Sequence, residues 1–140
     1  MDLSQVLDRL AVAAARVCSA EAAAVFLREA SSDRLTVTAV VGAPLSVGAD
    51  VASPPPVPAQ YADHLALPLG PAADPLGMLC VYDPAPDRFS AEDEARLAAV
   101  ADLGAAAVEA AQELAEMEQI EQSKSHFIHV ATHELRSPIA

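Results

Sequence analysis

From Ala91 onward the sequence keeps a helical pattern that does not clearly break until Pro138, a stretch of more than forty residues. At about 1.5 Å of rise per residue, such a helix is roughly twice as long as a small domain is wide. One end can pack on a globular core and the other must find a different partner. Ser90, with Asp93 three residues on, supplies an N-cap and an acidic capping partner at the start. Pro138 would remove a helical hydrogen bond and bend the chain at the far end. Within the pattern, Leu103, Ala107, Ala110, Leu114, Met117, Glu121, Lys124, Ile128, Ala131 and Leu135 alternate as a and d heptad positions, weakened by the small or polar residues Ala107, Ala110, Glu121 and Lys124. The expectation is a parallel two-helix coil of adjustable register, and hence a homodimer through the C-terminal helix. The acidic residues Glu109, Glu113, Glu116, Glu118 and Glu121 are expected to solvate the outside of that coil.

The remainder must form the core. With 140 residues, 53% of them hydrophobic, the chain can bury one core of ordinary size. A formal charge of −12, with Lys124 the only lysine, argues against nucleic acid and against anionic membrane, both of which need clustered basic residues. Cys18 and Cys80 lie far apart in apolar surroundings, a usage that fits neither a disulfide framework nor zinc and suits a reducing cytosol. No apolar run approaches the roughly 20 residues of a membrane span, and the N-terminus lacks the features of a secretion signal, so a cytoplasmic location is expected.

Asp2 or Ser4 can cap a first helix, ending near Cys18, whose apolar residues Leu3, Val6, Leu7, Leu10, Ala14 and Val17 share one face. Residues 22–29 and 34–41 read as strands around the turn Ser31-Ser32-Asp33. Residues 42–58 carry two glycines and five of the eleven prolines, which predicts a loop over the sheet. Two further strands are expected at 64–69 and 76–82, giving an antiparallel sheet of at least four strands and an α/β (α+β) fold.

The order of elements, with Leu76-Gly77-Met78-Leu79-Cys80-Val81 followed by Arg88-Phe89-Ser90-Ala91-Glu92-Asp93, resembles a GAF domain over residues 1 to about 112. The resemblance implies a sensor domain and a possible small-molecule ligand of unknown identity. Family members usually close a ligand pocket with extra helices over the sheet, where this chain has only the Pro-rich loop of residues 42–60.

Residues 113–140 would be a signalling helix leading into a second motif. Phe127, Thr132, His133, Glu134, Leu135, Arg136, Ser137, Pro138 and Ile139 resemble the H-box of the dimerisation and phosphoacceptor domain of histidine kinases. A neutral imidazole offers one ring nitrogen as nucleophile to the γ-phosphorus of ATP, and histidine is the side chain most readily neutral near pH 7. His133 is thereby expected to accept the phosphate. The resemblance implies that Glu134 orients the ring and serves as base, and that Ser137, one turn after His133, helps orient water for dephosphorylation of a response regulator. ATP and Mg would be held by a catalytic domain of the parent kinase beyond Ala140, so that these residues alone would be inactive.

Other readings of the same residues are weaker. His126, His129 and His133 fall at spacings of three and four, a pattern that could gather three imidazoles around a metal, but no acidic or Cys ligand sits at a helpful spacing and no metal is expected. Cys80 as a bilin anchor and His64 as a haem ligand compete with core packing and a surface histidine, and Tyr61 and Tyr82 read as packing residues. The rival function is a GAF ligand-binding or dimerisation module whose helical tail connects to a different output.

Overall fold

The computed structural model describes residues 2–29 and 32–136, with side chains through Glu121. Helix α1 (Leu3–Val17) opens with a capping box. Asp2 Oδ1 accepts from the Gln5 N–H at 2.9 Å, and Gln5 Oε1 accepts from the Asp2 N–H at 3.2 Å. Five strands follow, β1 (Ala22–Arg28), β2 (Leu35–Val41), β3 (Asp50–Val51), β4 (Asp63–Leu69) and β5 (Gly77–Asp83), and then α2 (Ala91–Arg136). They form one antiparallel sheet in the order β3-β2-β1-β5-β4.

The expected loop at 42–58 thus contains a two-residue strand, β3, pairing with β2 at the sheet's edge. A ladder this short has no period to read in the sequence. Pro68 lies within β4, which is tolerated because β4 is the opposite edge strand.

The sheet is covered on both faces. Ala23, Val25, Ala39, Leu69, Leu79 and Val81 meet the helices, where Leu7, Leu10, Ala11 and Ala14 of α1 join Leu97, Ala101, Ala105 and Val108 of α2. Ala22, Ala24, Phe26, Leu35, Val37, Cys80 and Tyr82 form the other face, packed under Ala43, Leu45, Val51 and Val57 from the loop. A bulge where the β1–β2 register shifts, at Val25/Phe26, changes which face β2 presents. Leu35 and Val37 therefore face the loop while Ala39 faces the helices, and Thr38 uses its hydroxyl to donate to Val25 O at 2.9 Å.

Two glycines set close approaches. A Cβ at Gly77 would lie 1.8 Å from the Phe26 carbonyl oxygen, so only glycine lets β5 pass β1 there. A Cβ at Gly104 would lie 2.4 Å from Leu10 Cδ1, so glycine brings α2 down onto α1. Past Ala111 the described side chains of α2 are exposed apart from the half-buried Gln112, and the 46-residue helix leaves the domain.

Candidate functional site

The sheet and the output helix meet at a polar junction built on the segment between β5 and α2. Asp63, at the start of β4, turns its carboxylate toward this segment. Asp63 Oδ2 accepts from the backbone N–H groups of Arg88 at 2.8 Å and Phe89 at 3.0 Å, and Oδ1 accepts from the His64 N–H at 2.8 Å. These bonds, the Phe89 N–H first among them, hold the Asp63 carboxyl below its ordinary range against the opposing effect of burial.

Arg88 ties the same segment to two other elements. Its guanidinium donates to Ser19 O at 2.7 Å and Cys18 O at 3.4 Å, past the end of α1, and lies 3.7 Å from the Asp83 carboxylate at the end of β5. The guanidinium also sits 5.7 Å from the centre of the Phe89 ring. Asp87 beside it takes a left-handed backbone conformation, φ 51°.

The α2 cap completes the junction. Asp93 Oδ2 accepts from the Ser90 N–H at 2.9 Å and the Ser90 hydroxyl at 3.0 Å, while Ser90 Oγ accepts from the Asp93 N–H at 3.3 Å. The Ser90 backbone N–H is the main influence keeping the Asp93 carboxyl below its ordinary value. Buried Cys18 directs its thiol at Asp93 O, 3.5 Å away, and its pKa is raised by burial and then by the Asp93 charge. The ends of α1 and β5 and the starts of β4 and α2 are thus joined by one set of hydrogen bonds and ion pairs.

On the loop-covered face, Tyr61 and Tyr82 stack with ring centroids 5.2 Å apart and planes inclined by 20°. The Tyr61 hydroxyl donates to Gly42 O at 3.2 Å, closing the base of the loop. The Tyr82 hydroxyl is buried and has no hydrogen-bond partner among the described residues. Beside it on β5, Cys80 is buried deeply enough to push its thiol pKa up to about 12.

Several residues singled out in the sequence have defined places in the fold. Cys80 and both tyrosines are packing residues, and His64 is an exposed residue at the start of β4. The acidic residues Glu109, Glu113, Glu116, Glu118 and Glu121 are exposed. His133 and Glu134 fall on the backbone of α2, with side chains outside the described residues, and Ser137 lies outside the described residues altogether. The three-histidine alternative at 126, 129 and 133 also falls beyond the described side chains. Among the described residues, no group of three His, Cys, Asp or Glu stands ready to hold a metal ion, and no helix is long and apolar enough to cross a membrane. Asp63 and Arg88 were missed in the sequence, because the contacts by which they join separate elements span 25 to 70 positions and leave no local pattern.

An antiparallel five-stranded sheet with helices on one face and a long loop on the other, running into an exit helix, defines a small α+β domain. A family model described as GAF domain matches residues 2–108, and the chain belongs to the GAF family. No curated protein is a significant sequence match. Among solved structures, the second GAF domain of DevS from Mycobacterium smegmatis superposes with a TM-score of 0.67 at 20% identity, covering 83% of this chain and 99% of that one. The GAF domain of an Acinetobacter phosphoenolpyruvate-protein phosphotransferase gives 0.68 at 18% identity, covering 83% and 87%. A type II free methionine-R-sulfoxide reductase from Thermoplasma acidophilum gives 0.60 at 18%, covering 76% and 95%. At these identities the shared feature is the fold.

Proposed function

We propose that this chain is the sensor region of a cytoplasmic two-component histidine kinase. The GAF domain senses a signal, α2 carries the response, and His133 accepts phosphate from ATP and passes it to an aspartate of a response regulator. The observation that carries the reading is the continuity of α2. One helix begins in the Ser90–Asp93 cap at the polar junction and runs to Arg136, so the His133 motif shares a backbone with the element the sensor domain grips.

In this reading the neutral His133 imidazole attacks the γ-phosphorus and displaces ADP, Glu134 orients the ring and takes its proton, and Ser137 orients the water that hydrolyses the regulator's aspartyl phosphate. ATP and Mg belong to a catalytic domain of the parent kinase. A signal that alters the grip on α2 changes the packing of paired exit helices, and with it access of His133 to that domain. The exposed heptad positions Leu103, Ala107, Ala110, Leu114 and Met117 support pairing, since each faces solvent in the single chain.

The test is incubation of the full-length kinase with radiolabelled ATP. Label stable in alkali and labile in acid is expected, lost in His133→Gln and at least tenfold slower to form in Glu134→Gln. Label that persists in His133→Gln, or a parent protein that takes up none, overturns the reading in favour of a GAF module serving another output.

A further inference from the structure

The outer surface of the two helices carries three parallel strips. Arg9 and Arg16 lie on the outer flank of α1, and among the described residues neither has an ion-pair partner. Next comes an apolar seam, first the α1–α2 groove lined by Val6, Leu10, Ala13, Val100 and Ala107 and then Leu103, Ala110, Leu114 and Met117 along α2. On the far flank of α2, about 100° around the helix from the seam, stand the exposed acids Asp102, Glu109 and Glu113. The seam is not a scatter of single residues. Leu103 is 75% exposed, Leu114 50% and Met117 66%, and with Ala107 and Ala110 between them they recur at spacings of three and four along one side of one helix.

We infer that this face is the contact between two copies of the chain, packed in parallel with α1 of each copy lying against the acidic flank of the other copy's α2. The order of the strips selects both the occupant and its direction. A two-fold axis along the seam exchanges left and right, so each basic strip meets the partner's acidic strip. An axis across the helices keeps left and right, setting basic on basic and acidic on acidic, so the charges oppose the antiparallel pair. Levels agree as well, because α1 and α2 are antiparallel and Arg9 lines the same groove as Leu103, Gly104 and Ala107. In the parallel pair Arg9 therefore arrives between Asp102 and Glu109, with Arg16 two turns along α1. Two α2 helices paired alone would leave both acidic ridges without facing cations, for Arg96 is their only basic residue in 91–121. The partner's α1 supplies the missing cations. This inference extends the pairing in the functional reading from the exit helix down to α1 and does not depend on the chemistry of His133.

The experiment is sedimentation of the 140-residue chain over a concentration series, with circular dichroism as a check that each variant is folded. The wild-type chain is expected to form a dimer that weakens as salt is raised. Arg9→Glu with Arg16→Glu, and separately Asp102→Arg with Glu109→Arg, should each raise the dimer dissociation constant at least tenfold. An equimolar mixture of the two variants should return to within about threefold of wild type, because both halves of the mixed dimer are then complementary. A wild-type chain that stays monomeric, variants that associate like wild type, or a mixture no tighter than its components overturns the inference. None of these readouts involves ATP, so a failure here is distinguishable from a failure of His133 to accept phosphate.

Discussion

The ring of Tyr61 lies stacked on that of Tyr82, yet only the first of the two hydroxyls has a hydrogen-bond acceptor. The same substitution therefore has opposite expected effects at the two positions. Tyr61→Phe removes the bond to Gly42 O and should lower stability by about 1 kcal/mol. Tyr82→Phe removes a buried hydroxyl without a partner and should leave stability unchanged or raise it by about 1 kcal/mol. Urea unfolding of both variants decides the matter, and a Tyr82→Phe protein less stable than Tyr61→Phe would contradict the assignment.

The polar junction gives the fold an acid sensitivity. Asp63 and Asp93 both have folded pKa values below the ordinary carboxyl value, so the unfolded chain binds protons more readily as pH falls. Their contribution is fully present above about pH 5 and is lost as pH drops through the unfolded value of about 4 and then the folded ones. Thermal melts between pH 7 and 3 should show a falling midpoint, and Asp63→Asn should flatten that fall while lowering stability at pH 7 by about 1 to 2 kcal/mol. An unchanged acid limb in Asp63→Asn would remove Asp63 from the account.

At Gly77 the obstacle to any side chain is backbone, not a movable rotamer, since the Phe26 carbonyl fills the space. Gly77→Ala should destabilise by about 3 kcal/mol, the upper part of the range for overpacked cores. Gly104→Ala meets only the end of the Leu10 side chain and gains helix propensity of up to about 1 kcal/mol, so its loss should be much the smaller. Equal losses in the two variants would show that the β1–β5 approach is not the tight one.

Both thiols should be silent in the folded protein. Cys18 and Cys80 are buried, and burial raises both pKa values, Cys80 to about 12, so little thiolate exists at pH 8. Iodoacetamide at that pH should modify neither cysteine over an hour and both within minutes in urea, as read by intact mass. Rapid alkylation of native Cys80 would mean that the loop-covered face opens readily.

The elements were legible where chemistry is local. Asp2, one of two candidate caps, announces α1, Ser90 and Asp93 announce α2, and three- and four-residue spacing identifies the buried face of α1. The five prolines and two glycines of residues 42–58 marked the loop, while β3 inside it went unread because two residues cannot display alternation. The heptad reading of Leu103, Ala107, Ala110, Leu114 and Met117 picked out residues that the single chain leaves exposed. The junction was invisible, since Arg88 reaches back 69 and 70 residues to Ser19 and Cys18 and Asp63 forward 25 and 26 to Arg88 and Phe89. Such contacts follow from the sheet order, which no single segment encodes.

The departure of α2 from the domain after Ala111 also makes it a lever. From Ala111 to His133 the helix rises roughly 33 Å, so a tilt of about 5° at its root would sweep the far position through some 3 Å, roughly the reach of a hydrogen bond. Motions too small to disturb the packing of the sheet become, at the distant end, the difference between touching and missing. The last buried residues of α2, Val108 and Ala111, are the fulcrum, and the stiffness of their packing sets the gain.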